Sequence, residues 1–565
     1  MERLEILMDL HYAGLEPRDK ESESSSPGVL TDGTSTPIAR TFSVSLATVT
    51  PLTNGVPSRY LISNGDTRYY VLKITSKDFN TNNGTATNIV SDNDSYEGND
   101  NGDDSDYRDD GNPTNSNQVF ITANTCQLPT NNEGEKLALN YASSLENSIN
   151  NINVTRSELY KGFGNITVDV TSNDLPMSVY VGVSATSQNS NTEAVASSSE
   201  TDSTDQWTFD LGVSTRAPLH SYTLRPNLYL IDADFGHALL ITGNLTNSQS
   251  AVPGFNETDN YEHLNNKTRI YDIYLYPVGH NLDDLAHSYC AISTQGALLN
   301  TDNTDVTVTR RGLGHLPKQQ FFVSGLNRST SYHAILTLPD NQSSTSVTGG
   351  AVYAAMNFTT QADSNCQLVF NLDFCTEVAY AVPGNASVFS SQQLTQIYDG
   401  MAAALFANFT KSQQFISCHA SNDSRFSGLK TCEDCSDSYK QWLCTTTIPR
   451  CQDWSNESPF LGPRLPGFSR NPLIDSLIKP GPYREILPCV DLCYSIMQSC
   501  DSQFGFQCPK EGSAGMLKSY GTRSTDGDIT CNYLGAVYFL SAASSTPVST
   551  SAVVLTVITM VMMFL

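Results

Sequence analysis

Residues Pro488 to Cys500 read PCVDLCYSIMQSC. Proline suits the first turn of a helix, where its missing N–H leaves nothing unpaired. At 100° per residue Cys489, Cys493 and Cys500 fall within about 40° of one another, with Ile496 on the same face. Three cysteines on one stripe predict a helix stapled to neighbouring segments. Outward from it, twelve of the chain's 14 cysteines lie between Cys366 and Cys531. They are Cys366, Cys375, Cys418, Cys432, Cys435, Cys444, Cys451, Cys489, Cys493, Cys500, Cys508 and Cys531. So dense a cluster reads as a disulfide framework. Cys126 and Cys290 stand far upstream and form a possible further pair. Zinc is the competing use of such spacing, with Cys432 and Cys435 as one close pair and Cys489 with Cys493 as a second. In an oxidising compartment thiols pair instead, so no metal or other cofactor is expected. The connectivity stays open, because twelve cysteines allow roughly ten thousand pairings.

A second helix is expected just upstream, where Leu394, Ile397, Tyr398, Met401, Leu405 and Phe409 follow helical spacing. Residues 36–360 read differently. Asn165 to Val170 alternates apolar and polar residues, and Met177 to Val183 and Trp207 to Val213 do so less cleanly. Tyr69 to Thr75 follows Asn64-Gly65, a hairpin-type turn signal. Further strands are expected at Tyr222 to Ile231, Ala238 to Ile241, Ile270 to Tyr276, Gln320 to Val323 and Tyr332 to Leu338. Many short strands separated by turn residues predict β-sandwiches. Gly325 to Tyr332, GLNRSTSY, resembles the corner of a fibronectin-type sandwich, where a tyrosine hydroxyl bonds back to the backbone.

A chain of 565 residues is too long for one core. The expected fold is therefore an all-β sandwich region followed by a mainly α, disulfide-rich domain. The boundaries follow composition: a β-sandwich at 36–215, a second, fibronectin-like sandwich at 216–362, and a cysteine-rich domain at 363–535. Ser91 to Asn117 holds nine acids against one arginine and no aliphatic residue, so it is expected to be a disordered loop. It lacks EF-hand spacing, since Tyr96 stands where a third ligand is needed after Asp92 and Asp94.

The net charge of −26 and pI of about 4.6 argue against binding nucleic acid or an anionic bilayer, which need clustered Lys and Arg. Fourteen Asn-x-Ser/Thr sequons, against about nine expected from composition alone, support a glycosylated, secreted chain. The candidate acceptors are Asn83, Asn153, Asn165, Asn244, Asn256, Asn266, Asn327, Asn341, Asn357, Asn385, Asn408, Asn422 and Asn456, with Asn93 inside the acidic loop. At the C-terminus the small triplet Ser541, Ala542 and Ala543, a polar spacer, and the apolar run Ala552 to Leu565 fit a glycolipid-anchor signal over 541–565. As a helix that run would span roughly 21 Å, short of a ~30 Å hydrocarbon core. A short helix that stays in place is the alternative. Met1 to Lys20 carries five acids and no apolar stretch of leader type. Residues 1–35 are therefore expected to lie outside the native fold, with the true leader missing from this start. No G-x-S-x-G, H-E-x-x-H or phosphate loop occurs, and His280 and His287 are the nearest histidine pair, so a non-enzyme is expected.

Cys432 to Cys451, CEDCSDSYKQWLCTTTIPRC, and Pro488 to Pro509, PCVDLCYSIMQSCDSQFGFQCP, resemble the cysteine-rich end of the fungal stretch-activated calcium-channel subunit of the mating-induced-death family. Phe374 to Asn385, FCTEVAYAVPGN, agrees, as do Leu230 to Thr246, LIDADFGHALLITGNLT, and Arg311 to Thr330, RGLGHLPKQQFFVSGLNRST. The similarity runs in order from about residue 57 to 535. More distantly, WLC-x₅-PRC, PC-x₃-C-x₆-C and Phe504-Gly505-Phe506 look like a Frizzled-type cysteine-rich domain.

The resemblance implies an extracellular accessory subunit working with a pore-forming, four-repeat calcium-channel α subunit, supporting calcium entry in mating and stress. It implies the outer face of the plasma membrane, and also the endoplasmic reticulum, with the membrane reached through the glycolipid. The rival function is a glycolipid-anchored wall or glycan-binding adhesin.

Overall fold

The computed structural model describes residues 49–79, 117–130, 136–186, 206–245, 270–295, 299–300, 304–312, 315–340, 347, 349–416, 427, 429–525 and 529–535. These residues are strand-rich and all belong to one compact unit, Thr48–Leu565. The expected disordered loop ends at its last residue, since Asn117 already opens a strand, and 91–116 lies outside the described residues.

The first sandwich packs two sheets around one core. One sheet runs Thr50–Pro51, Thr67–Ile74, Met177–Thr186, Lys136–Ala142, Thr155–Glu158; the other runs Ser58–Ser63, Gln206–Ser214, Asn117–Gln127, Phe163–Val170. Ile62, Val119, Ile121 and Phe209 from the second sheet meet Tyr70, Leu72, Val179 and Val181 from the first. The alternation read at Asn165 to Val170 is real, with Ile166 and Val170 turned inward. The hairpin signal at Asn64-Gly65 is not a hairpin. Gly65 takes the left-handed φ of 80° that the turn needs, yet the strands on either side leave for opposite sheets. Both strands carry inward-facing apolar residues, and an arch across the core buries both faces where a hairpin would stack them in one sheet.

The second sandwich is built the same way. Its sheets run His220–Thr223, Gly350–Tyr353, Ser331–Pro339, Asp272–Pro277, Leu299–Asn300 and Leu228–Ala233, His237–Thr242, Lys318–Ser324, Thr304–Thr309. The single strand expected at Tyr222 to Ile231 is two, one in each sheet, because Leu224-Arg225-Pro226 breaks it and Pro226 cannot donate to a ladder. At the expected corner the buried Tyr332 hydroxyl accepts from the Asn327 backbone N–H at 2.9 Å.

Six α-helices are described: α1 (Leu145–Asn150), α2 (Tyr289–Thr294), α3 (Ser391–Gln413), α4 (Cys432–Thr447), α5 (Val490–Ser499) and α6 (Ala514–Ser519). The last four occupy the cysteine-rich region. Helix there is accompanied by short strands: Cys366–Val369 pairs with Tyr380–Pro383, and a three-stranded sheet joins Arg450–Gln452, Tyr483–Ile486 and Leu461–Arg464. α3 opens with a capping box at Ser390 and Gln393 and buries Leu394, Tyr398, Met401 and Phe409, as its spacing predicts. Leu405 points outward. α5 starts later than expected: Cys489 is its extended N-cap and Cys500 its extended C-cap, so only Cys493 is helical. Pro488 pairs beside Asn532 and Cys489 beside Gly521 in short bridges, and those backbone bonds hold the two residues out of the helix. Among the described residues no helix is long and apolar enough to cross a membrane.

Candidate functional site

The cysteine-rich end is framed by cross-links that sequence spacing left open. Cys366 bonds Cys451, Cys375 bonds Cys444, Cys435 bonds Cys500, Cys489 bonds Cys531 and Cys493 bonds Cys508. Cys432 is also disulfide-bonded, and Cys418 lies outside the described residues. Among the described residues no cysteine is free. α5 is tied at its start, middle and end to three separate segments. Cys375 and Cys444 sit in the core shared by α3 and α4, with Val378, Tyr398 and Ile448. Cys435 and Cys500 instead join Phe409 and Ile496. Tyr439 stacks on Phe409 at 3.9 Å, and Phe504 and Phe506 extend the aromatic layer.

Buried charges knit this end to the second sandwich. Asp232, in the strand Leu228–Ala233, accepts from Arg450 Nε at 2.9 Å and from the Ala381 backbone N–H at 3.2 Å. Arg450 also donates to the Ile231 carbonyl at 2.8 Å and lies over the Tyr380 ring. Burial pushes the Asp232 carboxyl upward, and the Arg450 guanidinium opposes that shift. Two residues on, Asp234 accepts from the backbone N–H groups of Gly236, His237 and Leu368 at 2.8 Å each. The same carboxylate holds His237 Nδ1 at 3.0 Å and raises the histidine's pKa. Arg311 donates to the Thr376 and Val378 carbonyls, and burial lowers its pKa to about 10. Within the cysteine-rich end, buried Glu485 accepts from Arg464 at 2.6 Å and Arg470 at 2.7 Å. Sequence reasoning passed over these groups. The one signal was two aspartates inside the apolar run LIDADF; Arg450, the partner of Asp232, lies 218 residues away.

A second junction joins the two sandwiches. Cys126, on the strand Asn117–Gln127, is bonded to Cys290 of α2. Around that bond the Ser288 hydroxyl donates to the Thr125 carbonyl at 2.7 Å, and Arg59 reaches both Asp210 at 2.8 Å and Cys290 Sγ at 2.9 Å. Asp210 with the two sulfurs forms a compact group, but its thiols are spent on each other. His220 is fully buried beside Thr122 Oγ1 at 3.0 Å, and burial lowers its pKa to about 4. His287 stacks on Tyr222 at 3.5 Å, whereas His280 caps a short helical turn; the two do not form a site.

Of the sequon asparagines, Asn153, Asn165, Asn327, Asn357 and Asn408 are exposed, and Asn244, Asn385 and Asn456 are half-buried. Asn83, Asn93, Asn256, Asn266, Asn341 and Asn422, together with Ser541, Ala542 and Ala543, lie outside the described residues. Among the described residues, several exposed large apolar side chains lie at the cysteine-rich end: Leu465 and Phe468 in a loop, Leu473 and Leu477 on the helical turn that follows it, and Leu517 on α6.

Paired sandwiches closed by a disulfide-framed mixed end define a disulfide-stapled, strand-rich class of protein. Residues 118–537 match the model of the Mid1 family, described as a stretch-activated Ca2+-permeable channel component, and the chain belongs to that family. It is 41% identical over 342 residues to the stretch-activated cation channel yam8 of Schizosaccharomyces pombe, a match covering 60% of this chain and 66% of the relative. It is 32% identical over 455 residues to the stretch-activated cation channel MID1 of Saccharomyces cerevisiae, covering 75% of this chain and 81% of the relative. A Cryptococcus neoformans protein of the same name is 24% identical over 413 residues, covering 64% of this chain and 63% of the relative. These relatives are channel components, which agrees with a non-enzyme.

Proposed function

We propose that the chain is an extracellular, regulatory subunit of a stretch-activated calcium channel, and that another polypeptide makes the pore. The oxidised cysteine framework is the observation that carries this: every described cysteine is bonded, which belongs to a compartment outside the cytosol. Fourteen sequons agree with glycosylation in that compartment. The names of the relatives supply the channel, and the resemblance supplies a four-repeat α subunit as the pore. The tail 541–565 serves as the signal for a glycolipid that holds the protein at the plasma membrane; release by phosphatidylinositol-specific phospholipase checks this, and retention of 552–565 in the mature chain refutes it. The function itself is tested by affinity purification of the tagged full chain from fungal membranes. Recovery of the pore-forming α subunit is expected. Recovery of cell-wall glycan with no channel protein would instead make the chain an adhesin.

A further inference from the structure

Among the described residues one disulfide lies outside the cysteine-rich end, and it alone cross-links the two sandwiches. It joins Cys126, on the strand Asn117–Gln127, to Cys290 of α2 across 164 residues. Its surroundings set it apart. Cys375 and Cys444 are packed among Val378, Tyr398 and Ile448, and Cys366 and Cys451 against Ala381 and Tyr483. A thiolate in such apolar company is strongly disfavoured, so those bonds resist opening while the fold is intact. The junction around Cys126 and Cys290 instead buries the polar side chains of Asn124, Thr125, Asp210 and Ser288.

Arg59 supplies the chemistry. Its side chain is 41% exposed and its Nη2 meets Cys290 Sγ at 2.9 Å, so that buried sulfur lies one side chain from solvent. A guanidinium at contact distance stabilises a thiolate and makes that sulfur the better leaving group. Asp210 lies in the same group and opposes this. Its carboxylate, however, is held by Arg59 Nε at 2.8 Å and Nη2 at 3.1 Å, and the cation in direct contact with the sulfur outweighs it. The junction also has bonds that do not involve the sulfurs. The Ser288 hydroxyl donates to the Thr125 carbonyl at 2.7 Å, the His287 N–H to the Lys161 carbonyl at 3.0 Å, and Gln295 Nε2 to the Cys126 carbonyl. Opening the disulfide therefore leaves both sandwiches folded, but joined by the kind of polar contact that permits domains to move.

We propose that Cys126–Cys290 is a reversible redox latch between the sandwiches, opened by a dithiol through exchange in which Cys290 leaves as a thiolate against Arg59. The dithiol's first thiolate bonds to Cys126 Sγ, and the electron pair of the S–S bond passes to Cys290 Sγ. Its second thiolate then displaces Cys126, and the dithiol ends as a disulfide. Of its two protons, one stays on Cys126 and the other goes to solvent. The same steps in reverse close the latch.

That released proton is what the experiment reads. The purified full-length chain is equilibrated with mixtures of reduced and oxidised dithiothreitol, quenched with acid and alkylated, and each cysteine is scored by mass spectrometry. Cys126 and Cys290 should open together, with circular dichroism unchanged, in mixtures that leave Cys366–Cys451 and Cys375–Cys444 closed. From about pH 7 to pH 8 the ratio of reduced to oxidised dithiothreitol at half-opening should fall about tenfold, because a thiolate forms below the ordinary thiol range near 8.5. Arg59→Lys should keep that dependence. Arg59→Gln should abolish it, which a purely structural arginine would not do. Opening of Cys126–Cys290 only together with the two buried pairs, as the fold is lost, overturns the proposal. So does a half-opening ratio in the unaltered chain that is the same at both pH values, a result that needs no variant to fold. An unaltered pH dependence in a folded R59Q chain overturns it as well.

Discussion

Among the described residues Arg450 is the largest fully buried side chain, and its charge is answered by Asp232. Removing one partner of a buried pair typically costs about 3–5 kcal/mol, because the remaining charge is left without compensation. Arg450→Met should therefore destabilise the purified protein by about that much in urea denaturation. The double variant Asp232→Asn with Arg450→Met should recover part of the loss. Equal loss in both would mean that the arginine acts through packing alone. At this scale the cysteines were legible and their partners were not. A cysteine announces its chemistry wherever it falls, but pairing depends on which strands and helices come together. Asp232 and Asp234 read as ordinary polar positions, because their burial is imposed by Arg450 and Leu368, which lie far along the chain.

Single strands were the most legible elements, since alternation reports which side of a strand is wet. What followed each turn was less so. A sequence shows that the chain turns at Asn64-Gly65 but not which sheet the next strand joins. The start of α5 was misread for a related reason, because Pro488 suits a helix start locally while distant residues hold it in a bridge. Two histidines give the junctions opposite responses to acid. His220, between the sandwiches, is kept neutral by burial, its pKa falling from 6.5 to about 4. Its contribution to stability is complete above about 6.5 and is lost as pH falls from there through 4, by up to about 3 kcal/mol. His237, between the second sandwich and the cysteine-rich end, has its pKa raised by Asp234. Its contribution is complete below 6.5 and is lost as pH rises through the raised value. His220→Gln should therefore flatten the loss of stability between pH 7 and pH 4.5, and His237→Gln should cost more at pH 5 than at pH 8. Denaturation midpoints across that range measure both. A parallel fall of both variants at every pH would contradict the assignment.

Over the whole molecule, the strand-rich character and the change of texture near residue 363 were visible in composition and cysteine density. How firmly that boundary is crossed was not. Asp232, Asp234 and Arg311 bond into the cysteine-rich end from the second sandwich, and Ile231, Leu239 and Ile241 pack on Leu368 and Ala379. A disulfide-framed end fixed to a sandwich suits a part that conveys a load or holds a partner. Under the proposed function, the pore of a partner is the element that conducts. The direct measurement is stretch-activated calcium current in a heterologous membrane expressing this chain alone, the α subunit alone, or both. An accessory subunit predicts no current from this chain alone and a current from the pair that is larger or more tension-sensitive than that of the α subunit. A stretch-activated, calcium-permeable current from this chain by itself would contradict it.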